Sequence, residues 1–191
     1  MNVLELLVRG IGYTKDHRIN NIVFENCEGN SCNIRFFENA IMENLIVRKV
    51  GMGSASGHQP ELGFSYGTLA TISSCQVRSS RNGGGAYFLY VNAFVCQGNI
   101  FENISNLLNG QSVVAIYASQ SQNGSSNGNI VDVIGGTGLK YSYGCTNMSV
   151  CSNTIAVSGT STADQYAAIF LQGVDGFLID GNNLSNVGNH V

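Results

Sequence analysis

Charge is scarce in this sequence. Lys, Arg, Asp and Glu make up 11% of its 191 residues, less than half the share in an ordinary globular domain. Tryptophan is missing and Pro60 is the one proline, which excludes a proline-rich linker and a collagen-like chain. No apolar run approaches the roughly 18–20 residues of a membrane-spanning helix, so no membrane partner is expected. Met1–Val8 lacks the basic start and small-residue cleavage site of a secretory signal. Basic residues are thinnest in the second half. Eight of the nine Lys/Arg fall in residues 1–81, and residues 82–191 hold Lys140 alone against Glu102, Asp132, Asp164, Asp175 and Asp180. Nucleic acid needs a dense basic face, so no nucleic-acid partner is expected either.

Zinc spacing is also absent. The cysteines are Cys27, Cys32, Cys75, Cys96, Cys145 and Cys151. They form no CxxC pair and no histidine lies near them. They read as buried, reduced side chains packing as small hydrophobes, in a chain synthesised in a reducing cytosol. No DxDxDG calcium loop and no GGxGxD run occurs. No metal and no cofactor is expected.

What the sequence does contain is 24 Gly, 23 Asn and 20 Ser, together about a third of the chain, beside 43% hydrophobic residues. That much apolar content with so little charge argues against disorder. The second half repeats. Asn99, Asn129, Asn153 and Asn182 are preceded by Gly98, Gly128, Ser152 and Gly181. Two residues after each stand Phe101, Val131, Ile155 and Leu184. Three before stand Cys96, Ser126, Val150 and Ile179, and twelve before stand Tyr87, Tyr117, Tyr141 and Phe170. Cys75 extends the series, with Ile72 before it and Val77 after it. Earlier, Asn21–Asn26 resembles Asn44–Lys49. About seven or eight units of 21–30 residues result.

Short alternating runs such as Ser149-Val150-Cys151 mark half-buried strands. Gly and Asn clusters between them turn the chain cheaply at positive φ. Helical repeats are disfavoured because Asn, Gly and Ser are poor helix formers. The expected fold is all-β: a single-domain parallel β-helix over residues 19–191, each coil about 4.8 Å above the last. Residues 1–18 would form a cap or lead-in. Stacked asparagines would satisfy one another at one corner. The sequence ends soon after Asn182 without a capping element, so the expectation is a piece of a longer chain, or an end covered by a partner or another subunit.

The pattern over Val95–Ile104, Met148–Ile155 and Phe177–Val187 resembles the right-handed parallel β-helix repeat of pectate lyases, polygalacturonases and bacteriophage tailspikes. The resemblance covers most of the chain from about residue 19. It implies a polysaccharide-binding or polysaccharide-hydrolysing protein of tailspike type that acts on bacterial surface glycan as a homotrimer on a virion. A secreted or cell-surface location is the alternative. The catalytic motifs of polygalacturonases are absent, so no catalytic residue is carried over. A non-catalytic structural or adhesin module is the second reading. A lyase is the third, with Arg78, Lys140 and Tyr141 as sparse candidates.

If the chain is a glycosidase, it needs two carboxylates. Glu102 and Asp132 occupy one outward column on adjacent coils, about 5 Å apart by backbone spacing, near the separation of a retaining pair. Neighbouring carboxylates push one pKa up, giving an acid and a base. Asp164 and Asp175 are the second pair. Arg78 would hold an anionic sugar. Tyr90 and Tyr143 are candidate sugar-stacking residues. His58, Glu61 and Tyr166 lie on or beside two longer loops, 51–66 and 159–166, where groove walls form in such folds. Tyr87, Tyr117, Tyr141 and Phe170 are expected to stack inside the core.

Overall fold

A computed structural model describes residues 5–6, 15–26, 32–48, 59–80, 83–105, 113–158 and 167–185. These residues hold twenty β-strands and no helix. The strands fall into three ladders. The first contains Glu5–Leu6, Cys32–Phe37, Gln59–Gly67, the first part of Gly83–Gln97, Val113–Ser119, Gly136–Ser142 and Ile169–Gln172. The second contains His17–Asn20, Ala40–Glu43, Ala70–Ser73, the last part of Gly83–Gln97, Gln122–Asn127, Thr146–Cys151 and Asp175–Asp180. The third contains Val23–Glu25, Ile46–Arg48, Gln76–Arg78, Ile100–Ser105, Ile130–Ile134, Thr154–Ser158 and Asn183–Ser185. The chain visits the ladders in the order first, second, third, and does so seven times. Every pairing is parallel.

Gly83–Gln97 serves two ladders because it bends. Tyr90 and Ala93 have φ of 53° and 73°, in the left-handed region that turns a strand. Within the expected lead-in, Glu5–Leu6 pairs with Asn33 and Ile34, and His17–Asn20 pairs with Ala40–Glu43. The Asn21–Asn26 likeness to Asn44–Lys49 is a true register: Val23, Phe24 and Glu25 face Ile46, Val47 and Arg48.

Alternation places one core between the ladders. It takes Ile34, Phe64 and Phe88 from the first, Met42, Ile72 and Val150 from the second, and Val47, Val77 and Phe101 from the third. Most of their neighbours along the strands are half-buried or exposed, as the strand period of two requires. Core rings meet one another: Phe37 is tilted against Phe64 at 5.1 Å, Phe64 stacks on Phe88 at 6.1 Å, and Phe88 stacks on Phe94 of the same layer at 4.1 Å. Close approach explains Gly85. A Cβ there would sit 2.4 Å from the Ala115 carbonyl oxygen. Cys32, Cys75, Cys96 and Cys145 are buried free thiols, and Cys151 is half-buried. Burial pushes the Cys32 thiol up to about 12 and the Cys75 thiol up to about 11. Cys27 lies outside the described residues.

The asparagine file forms as the repeat implied. Asn99 Nδ2 donates to Asn129 Oδ1 (3.0 Å), Asn129 Nδ2 to Asn153 Oδ1 (2.9 Å), and Asn153 Nδ2 to Asn182 Oδ1 (2.8 Å). Each Oδ1 also accepts the backbone N–H of the asparagine before it. Cys75 opens the file, its N–H donating to Asn99 Oδ1 at 2.9 Å. The Asn99, Asn129 and Asn153 amides are inside the protein, where an unpaired polar group is costly, and the pairing removes that cost.

The expected column of Tyr87, Tyr117, Tyr141 and Phe170 is corrected in two ways. Tyr87 faces Tyr117, but Tyr117 faces Lys140 and Lys140 faces Phe170. Tyr141 faces Ala118 and is in the core at 1% exposure. The other three rings are half-buried and outward. The cause is a corner one residue longer than its neighbours: Tyr143 and Gly144 both take positive φ, at 54° and 85°. The extra residue shifts the preceding strand by one, which exchanges its faces.

Candidate functional site

Two corners of each layer differ in the residues that make their turns. Between the second and third ladders the left-handed residues are Asn21, Asn44, Ser74, Gly98, Gly128, Ser152 and Gly181. These are small residues, several of them tolerant of that region. Between the first and second ladders stand Phe36, Tyr66, Tyr90, Gln120, Tyr143 and Gly173, all at φ between 49° and 60°. Left-handed backbone costs a bulky residue roughly 1–2 kcal/mol. Four aromatics are held there nonetheless, in register and exposed.

Three of the four offset that cost by stacking. Phe36 lies on Tyr66 with centroids 5.3 Å apart, and Tyr66 on Tyr90 at 5.0 Å. Such pairs contribute about 0.5–1.5 kcal/mol beyond burial. Tyr143 has no such compensation. It sits between Gln120 and Gly173, is 59% exposed, and makes no ring contact among the described residues. Its face is open to solvent.

Beside this corner runs the outer column of the first ladder. Tyr87 and Tyr117 lie 5.2 Å apart. Lys140 Nζ stands 5.8 Å from the Tyr117 centroid and 5.2 Å from that of Phe170, within cation–π range. Ser142 Oγ donates to the Tyr117 hydroxyl at 3.0 Å. Burial pushes the Tyr87 hydroxyl up to about 12, and the nearby Tyr117, Tyr66 and Tyr90 add to that rise. Arg35 lies near enough to Tyr87 to oppose it. The result is one continuous outer surface of rings and hydroxyls, with Arg35 and Lys140 as its charges. The outward strand positions of the other two ladders hold no aromatic residue among the described residues.

The residues singled out from sequence are dispersed. Tyr90 and Tyr143 belong to the aromatic surface. Glu102, Asp132 and Arg78 share an outward column on the third ladder, where Arg78 Nε meets Glu102 Oε2 at 3.2 Å and both side chains are 44% exposed. A register shift between Phe101 and Ile104 places Asp132 across from Glu102 and Asn103. Asp175 is exposed on the second ladder and faces Thr146. Glu61 is inside, 1% exposed, accepting a hydrogen bond from Ser80 Oγ at 3.0 Å, so a ligand at the surface does not touch it. His58, Asp164 and Tyr166 lie outside the described residues.

The sequence reading misses Phe36 and the Phe36–Tyr66–Tyr90 stack. A fixed offset would have found them: each stands four residues before the first inward residue of the second ladder, Ala40, Ala70 and Phe94. Comparison with protein-family models, curated proteins and solved structures finds no match to this chain.

Proposed function

We propose that the three ladders are the faces of a right-handed parallel β-helix, and that the aromatic outer face of the first ladder binds bacterial surface polysaccharide. The cyclic order of parallel strands supports the first part, since a crossover between parallel strands is right-handed in nearly all folds. Tyr143 carries the second. It strains its corner, packs on no ring among the described residues, and presents an open face of the kind that stacks on a pyranose. The hydroxyls of Tyr66, Tyr87, Tyr90 and Tyr117 and the Lys140 ammonium supply polar contacts around it. A phage-tail setting enters this reading through the resemblance alone.

Binding without cleavage is the better-supported form. Glu102 and Asp132 stand on the third ladder, while the aromatic surface belongs to the first, so a glycan on the rings does not lie across that pair.

Affinity electrophoresis against purified capsular polysaccharides and O-antigens tests the proposal. A glycan that retards the wild-type chain is expected to bind Tyr143→Ala at least about tenfold more weakly. Unchanged retardation of that variant would end the assignment. Release of reducing ends that disappears in both Glu102→Gln and Asp132→Asn would replace binding with hydrolysis.

A further inference from the structure

The outer face of the third ladder carries two columns, set by the strand period of two. One is mainly apolar: Val23, Ile46, Gln76, Ile100, Ile130 and Thr154 in successive layers. Val23 and Ile130 are 58% and 52% exposed. The other is charged in blocks: Glu25, Arg48, Arg78, Glu102 and Asp132, then Ala156. Arg78 and Glu102 pair with each other. Among the described residues Arg48 and Asp132, which flank that pair, have no ion-pair partner.

We propose that this face joins two copies of the chain, antiparallel, about a two-fold axis that runs along the strands midway between the Gln76–Arg78 and Ile100–Ser105 layers. Charge complementarity fixes the position of the axis. Such an axis reverses the order of layers but keeps each column opposite itself. Arg78 then faces the second copy's Glu102, and Arg48 faces its Asp132, each contact occurring twice. Glu25 faces the neutral Ala156. In the other column Ile46 meets Ile130, and Gln76 meets Ile100. No like charges meet.

Shifting the axis loses this match. One half-step toward the start of the chain sets Arg78 against Arg78 and Glu25 against Asp132. One half-step the other way sets Glu102 against Glu102. An axis along the stacking direction lays the apolar column on the charged one. A closed two-fold contact needs a self-complementary patch, and this is the one register that gives each of Arg48, Arg78, Glu102 and Asp132 an opposite charge.

The face is small. Seven layers at about 4.8 Å and strands of a few residues at about 3.3 Å give roughly 300–600 Å², below the roughly 800 Å² per partner of a stable complex. The dimer is therefore weak, and it loosens with salt because its specificity lies in solvent-accessible charge pairs. The contact involves the third ladder alone and is separate from the glycan-binding surface.

Sedimentation of the full chain with charge reversals tests it. Arg48→Asp sets a new carboxylate against the second copy's Asp132. Asp132→Arg sets a new guanidinium against the second copy's Arg48. Each variant alone should therefore dimerise at least about tenfold more weakly than wild type. In a mixed dimer of the two variants, one of the two contacts joins the wild-type Arg48 and Asp132, and the other joins the same charges exchanged. The mixture should recover wild-type association. Circular dichroism confirms that each variant is folded. A wild-type chain that stays monomeric up to about 1 mM, a three-fold species, or a mixture no stronger than its components would each overturn the proposal.

Discussion

Replacing Asn129 by Ala tests the internal amide file at its centre. Asn129 Oδ1 accepts the Asn99 backbone N–H at 3.1 Å and Asn99 Nδ2 at 3.0 Å. Its Nδ2 donates to the Cys96 carbonyl and to Asn153 Oδ1, both at 2.9 Å. Asn99, Asn129, Asn153 and Cys96 are each at most 1% exposed. The substitution thus removes these four hydrogen bonds, with a long one from Cys96 Sγ to Oδ1 at 4.0 Å, and leaves partners buried. At a net of about 1 kcal/mol each, with more where a group stays unsatisfied, the loss is about 4 kcal/mol. One water in the vacated polar space could restore some of these bonds, which sets a floor of about 2 kcal/mol. Either value is a large part of the roughly 5–15 kcal/mol that holds a domain folded.

Asn182→Ala supplies the contrast. It too loses four contacts, to Asn153, Val150 and Asp180, but Asn182 is half-buried and water replaces them. About 1 kcal/mol is expected. Urea unfolding followed by circular dichroism and by tyrosine fluorescence gives both values, provided the two transitions coincide, since a repeating array can unfold in parts. Asn129→Asp adds a sign. A carboxyl group at 129 would be held protonated by burial and by the acceptors around it. Its folded pKa lies above the unfolded value, so its stability is fully present below about pH 4 and is lost as pH rises toward the folded pKa. An Asn129→Ala chain that loses under about 1 kcal/mol, or no more than Asn182→Ala, would refute the claim that the amide file stabilises the core.

Two further outcomes follow from packing. Gly85→Ala should cost more than about 2 kcal/mol, because its Cβ meets backbone that cannot yield; Gly128→Ala, with φ of 63° and open space around it, should cost nearer 1 kcal/mol in backbone strain alone, at about the usual left-handed penalty. Equal losses in thermal unfolding would show that close approach is not what requires glycine at 85. Among the described cysteines, Cys151 should react first with a thiol reagent at about pH 8, since burial raises the Cys32, Cys75 and Cys96 thiols and shields them. Mass mapping that finds Cys96 labelled in the folded chain as fast as Cys151 would contradict the buried core.

The interior was legible because it is written in the same letters in each layer. Asn99, Asn129, Asn153 and Asn182 need one another, and Phe101, Val131, Ile155 and Leu184 share one column that is buried through Ile155, so their spacing carries the register. Even Ser126, the misfit beside Cys96, Val150 and Ile179, occupies its column and is buried. Offsets measured across a corner failed, because Tyr143-Gly144 adds a residue that nothing in the strand pattern reveals.

The outside obeys no such rule, and this is why the candidate sites separated. Glu102 and Asp132 were paired by adjacency in one column, and adjacency there is real, yet the same column supplies Arg78 to Glu102. An outward column of a parallel ladder places like positions about 4.8 Å apart, so any acidic pair in it resembles a catalytic pair by spacing. Spacing alone then has little power to identify a catalytic site in such a sheet. The more telling quantity is the strain a residue bears where it stands. Asn and Gly at a left-handed corner bear little and imply nothing, and Phe36, Tyr66 and Tyr90 offset theirs by stacking. Tyr143 strains the fold with no compensating ring contact. Strain that the structure does not offset is a pointer to function, and among the four aromatics of this corner it falls on Tyr143 alone.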